Sequence, residues 1–233
     1  MLPRWRPLAL AAVAAFAGGS GYADDKDGWK SIFDGKTLEG WHITGAEWKA
    51  ENGAIVATIG DDRKDGYLQT NERYGDFEIE LEFKVDWPVD SGVFLRNTDE
   101  GQAYQVTLDN REKGHIAAIY TGGLPGGRVK PYLYEPEGPR KGFKKDDWNK
   151  LSARIEGKAP HFVVNLNDET VVDVTDPEAR HQADGPVGLQ VHGGNVWQKG
   201  KFAWFRNIRI RPVLSKQADA APKSVTLAVT GMT

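Results

Sequence analysis

The chain has 233 residues, of which 39% are hydrophobic and 27% are charged, a balance that excludes intrinsic disorder for most of its length. Its formal net charge of −3 disfavours a nucleic-acid-binding protein, because such proteins normally carry a basic stripe. The chain contains no cysteine, which excludes disulfide bonds, thiolate metal ligands and a cysteine nucleophile.

Residues 1–23 have the pattern of a secretory signal peptide. Two arginines precede a short apolar run at residues 8–17, and residues 21–23 end in the alanine of a typical cleavage site. The apolar run is shorter than the roughly 20 residues that a membrane-spanning helix needs. We therefore predict a periplasmic or secreted protein whose mature chain begins near Asp24.

Segments that alternate apolar and polar residues recur along the rest of the chain, as expected for half-buried strands. In the clearest segment, 77–85, the apolar side chains share one face and the charged side chains share the other. The other predicted strands are 93–96, 104–109, 162–166, 170–174, 187–191 and 202–211. Glycine, asparagine and aspartate turn signals separate them, and no convincing long helix is present. The sequence therefore predicts an all-β fold, a two-sheet antiparallel β-sandwich or jelly roll.

Two segments lack this alternation. Residues 121–147 are rich in glycine, proline and lysine and are predicted to form a long loop, a kind of segment that is often functional. Lys130 and Tyr132 lie on this loop, where they are candidates to cap a binding site. Residues 213–233 are predicted to form a loose tail, so that a single domain spans residues 24–212.

Seven short segments between about residue 29 and residue 212 follow one another in the order of a known family. They are 31–41 (SIFDGKTLEGW), 74–83 (YGDFEIELEF), 90–96 (DSGVFLR), 104–110 (YQVTLDN), 148–149 (WN), 186–193 (PVGLQVHG) and 205–212 (FRNIRIRP). In this combination the chain resembles the 3-keto-disaccharide hydrolase domain family. The resemblance implies a concanavalin-like jelly roll of two curved sheets. It also implies an exported enzyme that cleaves disaccharides or glycosides already oxidised at C3.

The alternation also sorts the candidate site residues by face. Gln190 and His192 lie opposite the aliphatic residues of their strand, and Gln105 and Asp109 lie opposite those of theirs. If the motif strands are neighbours in one sheet, their polar faces form a cleft; otherwise each is simply the solvent face of a sandwich. The side chains expected in this cleft are Glu80, Glu82, Arg96, Gln105, Asp109, Gln190 and His192.

A ketone at C3 makes the C2 proton acidic, so a modest base can remove it and the enolate can expel the C1 substituent. Water then adds to the unsaturated 3-keto sugar, which gives net hydrolysis. His192 is the first candidate for the base, because the pKa of histidine lies near neutrality, and Glu82 is the alternative. Asp109 is expected to orient the histidine or to bind a divalent cation. Contacts with the enolate oxygen and the sugar hydroxyls are expected from Arg96, Gln105 and Gln190, and further substrate contacts from Glu80, His115, Tyr120 and Lys130.

No cofactor is evident from the sequence. A divalent metal ion bound by Asp109, Glu82 and His192 would be a reasonable Lewis acid, but no ligand spacing is specific for one. The chain has no Gly-x-Gly-x-x-Gly dinucleotide-binding fingerprint. We therefore expect a separate oxidoreductase to make the C3 ketone.

Two other functions fit the same fold class. Glu78 and Glu82 imitate the carboxylate pair of a retaining glycosidase of the jelly-roll type, but residues i and i+4 of a strand lie about 13 Å apart, whereas retaining chemistry needs about 5 Å. The second alternative is a non-catalytic, lectin-like carbohydrate-binding module, which the many aromatic residues permit. A convergent acid–base set around His192 would favour an enzyme, and an open aromatic platform would favour the binding module.

Overall fold

Two antiparallel β-sheets contain nearly all of the regular structure in the computed structural model, which describes residues 27–98, 102–122, 131–137 and 140–213. The eight-stranded sheet consists of β1 (Lys30–Ser31), β3 (Glu47–Glu51), β4 (Ala54–Thr58), β6 (Phe77–Val85), β11 (Asn149–Glu156), β12 (His161–Leu166), β13 (Glu169–Thr175) and β15 (Ala203–Pro212). The seven-stranded sheet consists of β2 (Trp41–Thr44), β5 (Gly66–Thr70), β7 (Ser91–Leu95), β8 (Tyr104–Leu108), β9 (Ile116–Tyr120), β10 (Tyr132–Tyr134) and β14 (Gly188–Val191). The predicted all-β, two-sheet antiparallel sandwich is confirmed.

The order of the strands decides which motifs can meet. The eight-stranded sheet runs β13-β12-β11-β6-β15-β4-β3, with β1 paired to β15, and the seven-stranded sheet runs β10-β9-β8-β7-β14-β5-β2. Strand β7 therefore lies between β8 and β14, so three of the recognised motif strands are direct neighbours. Strand β6, which carries another motif, belongs to the opposite sheet.

The core lies between the two sheets and is built by the alternating apolar residues of each strand. In β6 the apolar residues from Phe77 to Val85 are buried, whereas the charged residues between them are only partly buried. Across the core, Val93, Val106 and Leu189 of the seven-stranded sheet are fully buried. Burial of one such side chain contributes about 1.5–3 kcal/mol, so the apolar stripe determines which face of each strand turns inward.

The seven-stranded sheet differs from its partner because its central strands are buried on both faces. Every residue of β7, β8 and β14 is buried, and these residues include the polar Gln105, Thr107 and Gln190. A buried polar group without a hydrogen bond costs about 1–3 kcal/mol. The face that points away from the core must therefore satisfy its polar groups largely from within the protein.

All of the strands predicted from alternation are present within a few residues of the predicted bounds. The structure adds β1 to β5 and β9 to β11, and β10 lies inside the segment that was predicted to be a loop. The predicted signal peptide and Lys130 lie outside the described residues, as does nearly all of the predicted tail. Within the described part of the chain, no helix is long and apolar enough to cross a membrane.

Arg96 lies away from the expected cleft, which corrects that expectation. The backbone leaves the strand conformation at this residue, with φ at 55°, so the alternation of β7 does not extend to it. The side chain is 1% exposed, and its Nη2 lies 2.7 Å from Oδ1 of Asp76. Its Nε also donates to the carbonyl of Gly75 at 2.9 Å. Arg96 thus joins the end of β7 to the turn that precedes β6.

We expect Asp76→Asn to lower the free energy of unfolding by about 3 kcal/mol, because it leaves the buried guanidinium of Arg96 without its counter-charge. Glu82→Gln is the matched control, since it neutralises one partner of the more exposed Glu82–Arg206 pair and should cost no more than about 1 kcal/mol. Urea unfolding at neutral pH, followed by circular dichroism, measures both values. Equal losses in the two variants would contradict a structural role for the Arg96–Asp76 pair.

Candidate active site

Side chains from neighbouring strands of the seven-stranded sheet form a continuous surface on the side that points away from the core. The register places Gln190 beside Gly92 and Phe94 beside Gln105. We call this surface the polar face; its members are Tyr67, Gln69, Gly92, Phe94, Gln105, Thr107, Gly188 and Gln190. The expectation that Gln105 and Gln190 share one face is therefore confirmed by the register.

Two glutamines occupy the centre of the polar face. Nε2 of Gln105 donates to Oε1 of Gln190 at 2.6 Å, and both side chains are buried. Gln105 reaches its partner by crossing Gly92, where a Cβ atom would lie only 2.0 Å from Nε2 of Gln105. Tyr67 and Phe94 flank the pair, with their ring centroids 5.5 Å apart. The glutamine pair thus depends on the absence of a side chain at Gly92.

Four titratable side chains form a row at one end of the polar face. His192 directly follows β14, Asp90 directly precedes β7, Asp109 directly follows β8 and His115 directly precedes β9. Backbone hydrogen bonds continue the sheet through them, from His192 N to Asp90 O at 3.1 Å and from Asp109 N to His115 O at 3.2 Å. We call these four residues the titratable row. The structure thereby brings together three residues that the sequence singled out, His192, Asp109 and His115.

Arg111 joins the two aspartates of the titratable row. Its Nη2 lies 2.7 Å from Oδ2 of Asp90 and 2.7 Å from Oδ2 of Asp109, and its Nε donates to Oδ1 of Asp109 at 2.8 Å. The hydrogen bond to Asp109 raises the pKa of Arg111, so its positive charge is permanent. A Cβ atom at Gly114 would lie 2.2 Å from Oδ1 of Asp109, so that glycine makes room for the carboxylate.

The partner of His192 is Asp90, whereas the sequence reasoning expected Asp109 to orient the histidine. Nδ1 of His192 lies 3.1 Å from Oδ2 of Asp90, and the imidazole is about half exposed while the carboxylate is buried. This hydrogen bond raises the pKa of His192, although burial and the charge of Arg111 oppose the shift. Asp109 holds Arg111 instead. The contact through Nδ1 leaves Nε2 of His192 available to a bound molecule.

Aromatic side chains surround the other end of the titratable row. Nε2 of His115 lies 3.0 Å from Oε1 of Glu135, and its ring meets Tyr132 edge-on with the centroids 5.4 Å apart. Tyr120 packs against Tyr132 at 5.1 Å. Burial, followed by the charge of Asp109, raises the pKa of Tyr132 to about 12, so its hydroxyl remains a hydrogen-bond donor at neutral pH. His115 and Tyr120 therefore lie at one end of the titratable row, and their contact with a substrate stays a prediction.

Glu80 and Glu82 lie on the opposite side of the sandwich, which corrects the expectation that they line the cleft. Strand β6 belongs to the eight-stranded sheet, and its glutamates face arginines of β15. Oε2 of Glu82 lies 2.6 Å from Nη2 of Arg206, and Oε1 of Glu80 lies 2.7 Å from Nη2 of Arg209. Burial alone would raise the pKa of Glu82, but hydrogen bonds from Arg206 and Asn207 lower it. The alternation predicted the face of β6 correctly and could not predict the sheet.

The same placement removes two arrangements that the sequence suggested. Glu78 is also held by an arginine, Arg211, at 2.7 Å, so Glu78 and Glu82 do not form a glycosidase pair on the polar face. Glu82 cannot join Asp109 and His192 in a shared metal site, because the core separates them. Over residues 27–98, 102–122, 131–137 and 140–213, no group of three or more His, Asp or Glu side chains is arranged to hold a metal ion.

Asp90 and Arg111 are site residues that the sequence reasoning missed. Asp90 lies two residues before Gly92, so extending the alternation of β7 by one step would have placed it on the polar face. Arg111 follows the end of β8, where alternation no longer indicates the direction of a side chain. Tyr67 was missed because β5 was not predicted, since its residues 66–70 show no clear alternation.

The family comparison covers this whole arrangement. Residues 28–211 match the model of a family described as the 3-keto-alpha-glucoside-1,2-lyase-like domain. The chain belongs to this family. The match to the 3-keto-alpha-glucoside-1,2-lyase-like domain covers every strand of this chain, apart from Pro212 at the end of β15. The family resemblance that the sequence motifs indicated is thereby confirmed.

One named relative and two solved structures are similar to this chain. A protein from Bacteroides thetaiotaomicron named 3-keto-disaccharide hydrolase is 26% identical over an alignment of 245 positions, which covers 80% of this chain and 79% of that protein. A candidate glycosyl hydrolase from Parabacteroides distasonis has a crystal structure with a TM-score of 0.58 at 24% identity, covering 79% of this chain and 99% of that one. A carbohydrate-binding module from Bacillus subtilis gives a TM-score of 0.55 at 16% identity, covering 74% and 95% of the two chains. At these identities the two solved structures show a shared fold alone.

Gly92→Ala is expected to displace Gln105, because the new methyl group would occupy the space of its amide. Loss of the Gln105–Gln190 hydrogen bond within a buried face should lower the free energy of unfolding by about 1–3 kcal/mol. Gly188→Ala is the control, since its Cβ would make an ordinary contact of 3.4 Å with Phe94, and it should cost less than about 1 kcal/mol. Urea unfolding of both variants makes the comparison. A smaller loss for Gly92→Ala than for Gly188→Ala would contradict this role of Gly92.

Asp90→Asn is expected to lower the pKa of His192, because the hydrogen bond that raises it is weakened while Arg111 still disfavours the imidazolium. An NMR titration of the His192 ring protons measures the change, and the missing signal in His192→Gln assigns the resonance. Asp173→Asn is the control, since it alters the carboxylate 3.3 Å from His161 on the opposite sheet. An unchanged His192 curve in Asp90→Asn would refute the pairing.

The raised pKa of His192 makes the free energy of unfolding depend on pH. Because the pKa of His192 is higher in the folded protein than in the unfolded chain, its pairing stabilises the fold at pH values below the unfolded-state pKa of about 6.5. This contribution is lost as the pH rises through the folded-state pKa. The stability difference between the native protein and His192→Gln should therefore shrink across that window.

Proposed function

We propose that this chain cleaves glycosides already oxidised at C3, by removing the C2 proton and expelling the C1 substituent. The observation that carries the proposal is the His192–Asp90 pair, which lies beside the fixed positive charge of Arg111. The family and the relative named 3-keto-disaccharide hydrolase support the same substrate class. The reaction needs a base near C2, a cation or donors at the C3 oxygen, and a proton donor at the leaving group.

The C3 ketone changes which bond has to be activated. An ordinary glycoside passes through an oxocarbenium-like transition state and needs strong acid assistance at its leaving oxygen. In a 3-keto-glycoside, the electron pair of the C2–H bond moves towards the C3 carbonyl and forms an enolate. When the enolate collapses, C3=O re-forms, C1=C2 forms, and the bond from C1 to the leaving oxygen breaks. Water then adds its hydroxyl to C1 and its proton to C2.

His192 is the proposed base. Because Nδ1–H donates to Asp90, Nε2 carries the free lone pair that can accept the C2 proton. The carboxylate of Asp90 orients the ring and stabilises the imidazolium that forms. The raised pKa makes neutral His192 a stronger base, so the reaction is expected to gain rate as the pH rises through that pKa.

Arg111 is the proposed stabiliser of the enolate. Two carboxylates hold its guanidinium in place, and the side chain still exposes 33% of its surface. A preorganised cation is most effective in a site with little water, because it does not need to reorganise as negative charge develops. The amides of Gln105 and Gln190 are proposed to bind sugar hydroxyls on the neighbouring part of the polar face.

Tyr132 is the proposed proton donor to the leaving group. With a pKa raised to about 12, its phenol stays protonated at neutral pH and can donate a hydrogen bond or its proton to the leaving oxygen. His115 and Tyr120 contact its ring and are proposed to contact the substrate. We also propose that the chain is exported through its predicted signal peptide and that a separate oxidoreductase supplies the C3 ketone.

The deciding experiment uses protein that begins at Asp24 with two substrates, 4-nitrophenyl glucoside and the same compound oxidised at C3, each with and without chelator. We expect release of nitrophenol from the keto compound alone. His192→Gln should lower kcat/KM at least about 100-fold, as expected for loss of a catalytic base. His161→Gln is the matched control, because His161 also lies beside an aspartate but on the other sheet, and it should retain full activity.

Three results would count against the proposal. Release from the unoxidised glucoside would indicate ordinary glycosidase chemistry. Unchanged activity in His192→Gln would remove His192 from the reaction. Saturable sugar binding by calorimetry without release from either compound would favour a carbohydrate-binding module.

A further inference from the structure

A pocket of about 420 Å³ lies beside the titratable row. It is bounded by the turn between β8 and β9, the segment that follows β6 and the segment that precedes β11. Asp109 and His115 of the titratable row form part of its lining, while Trp87 and Phe143 supply apolar walls. The pocket is therefore continuous with the candidate active site, although its walls are chemically different.

The sheet fixes the direction from His192 to this pocket. The members of the titratable row lie on four consecutive strands, and adjacent strands are about 4.8 Å apart, so about 14 Å separates His192 from His115. This distance is longer than one sugar ring. A glycoside whose ring lies beside His192 and Arg111 therefore has room to extend its C1 substituent along the row, towards His115 and the pocket.

The apolar walls are suited to a flat ring. Trp87 is one of the few large hydrophobic side chains that the described residues expose, at 40%. Phe143 is fixed by stacking on the core residue Phe83, with centroids 6.3 Å apart and the planes within 10°. Exposed aromatic area beside a fixed aromatic ring favours a planar apolar ligand, because both surfaces lose unfavourable contact with water.

The polar part of the lining is cationic. Arg140 is held in place by hydrogen bonds to the carbonyls of Ile116 and Ala117, and Lys145 lies over the ring of Trp87 at 5.1 Å from its centroid. Lys113 adds a third positive charge. The lining contains two carboxylates, and Arg111 neutralises that of Asp109, so only Glu112 opposes these three charges. The charge of the lining therefore complements an anion.

We propose that this pocket binds the leaving group of the 3-keto-glycoside and selects aromatic leaving groups that carry a carboxylate. The inference rests on the proposed function and specifies the substrate class of the same site. The aromatic ring packs against Trp87 and Phe143, and the carboxylate lies near Lys113. The sugar ring remains over the titratable row, where its C1–O bond points towards His115.

Three substrates test this inference, the methyl, phenyl and 4-carboxyphenyl 3-keto-glucosides. Each variant is compared with the native protein on the same substrate, so that differences in leaving-group reactivity cancel. Trp87→Ala should lower kcat/KM about three- to tenfold for the two aromatic compounds and leave the methyl compound unchanged. Lys113→Gln should lower kcat/KM about two- to fivefold for the 4-carboxyphenyl compound alone.

Trp204→Ala is the matched control. Trp204 also has a lysine over its ring, with Lys84 4.3 Å from the centroid, but it lies on the opposite sheet. It should change none of the three ratios. A second measurement does not depend on turnover: 4-hydroxybenzoate is titrated into the native protein and Trp87→Ala by calorimetry. We expect its affinity to fall about three- to tenfold in the variant.

Selective kinetic losses together with weaker 4-hydroxybenzoate binding would support the inference. If Trp87→Ala affects all three keto-glucosides equally, or none of them, the leaving-group role is wrong while the proposed function stands. If no keto-glucoside is cleaved, the proposed function fails, and binding of 4-hydroxybenzoate in that case would identify an aromatic-acid site without a leaving-group role.

Discussion

Burial of the central strands of the seven-stranded sheet on both faces is the constraint on which the candidate site depends. A sheet face in water can leave its polar groups to the solvent, whereas Gln105, Gln190 and Asp90 have to find partners inside the protein. The solutions are specific: one glutamine crosses a glycine to reach the other, and Arg111 joins two carboxylates. Side chains fixed in this way lose little further freedom when a substrate binds, which favours preorganised recognition and catalysis.

The charges around His192 in the titratable row explain why its pKa is raised. Asp90 and Asp109 share one permanent guanidinium, so together with Arg111 they carry a net negative charge whenever both are ionised. A proton on His192 compensates that charge, which agrees with the raised pKa. Proton removal from a substrate would therefore improve the charge balance of the row, while the negative charge that forms on the substrate would lie beside two cations. His192 and Arg111, the proposed base and the proposed enolate stabiliser, are in this sense one electrostatic unit.

Sequence reasoning predicted the fold well because alternation is a local property. Strand β6 occurs where its pattern predicts, with the predicted residues inside. The same pattern cannot tell which strands are neighbours, since pairing joins residues far apart in sequence. Glu80 and Glu82 therefore had the same appearance as Gln105 and Gln190, although a hydrophobic core separates the two pairs. The family motifs did not indicate the sheet of a residue either, because these motifs lie on both sheets.

Residues just beyond the strand ends were the hardest to predict. Asp90 and His192 continue the alternation of their strands, whereas the positive φ of Arg96 ends it and turns a motif arginine into a buried structural side chain. Arg111 lies in a turn whose direction is set by its two carboxylate partners. The sequence thus singled out Arg96 and missed Arg111, and only the structure shows that Arg111 is the arginine that lies beside the titratable row.

The same sandwich architecture occurs in a carbohydrate-binding module, so the architecture alone does not separate binding from catalysis. A binding module of this class would present an open aromatic surface on which a sugar ring can stack. On the polar face, Phe94 is 4% exposed and packs against Tyr67 at a tilt of 34°, so it offers little area for stacking. The exposed chemistry lies at the titratable row instead, where a half-exposed imidazole is oriented by a buried carboxylate. A protein that only bound sugars would have no need to hold a proton acceptor in this way, and that difference favours an enzyme.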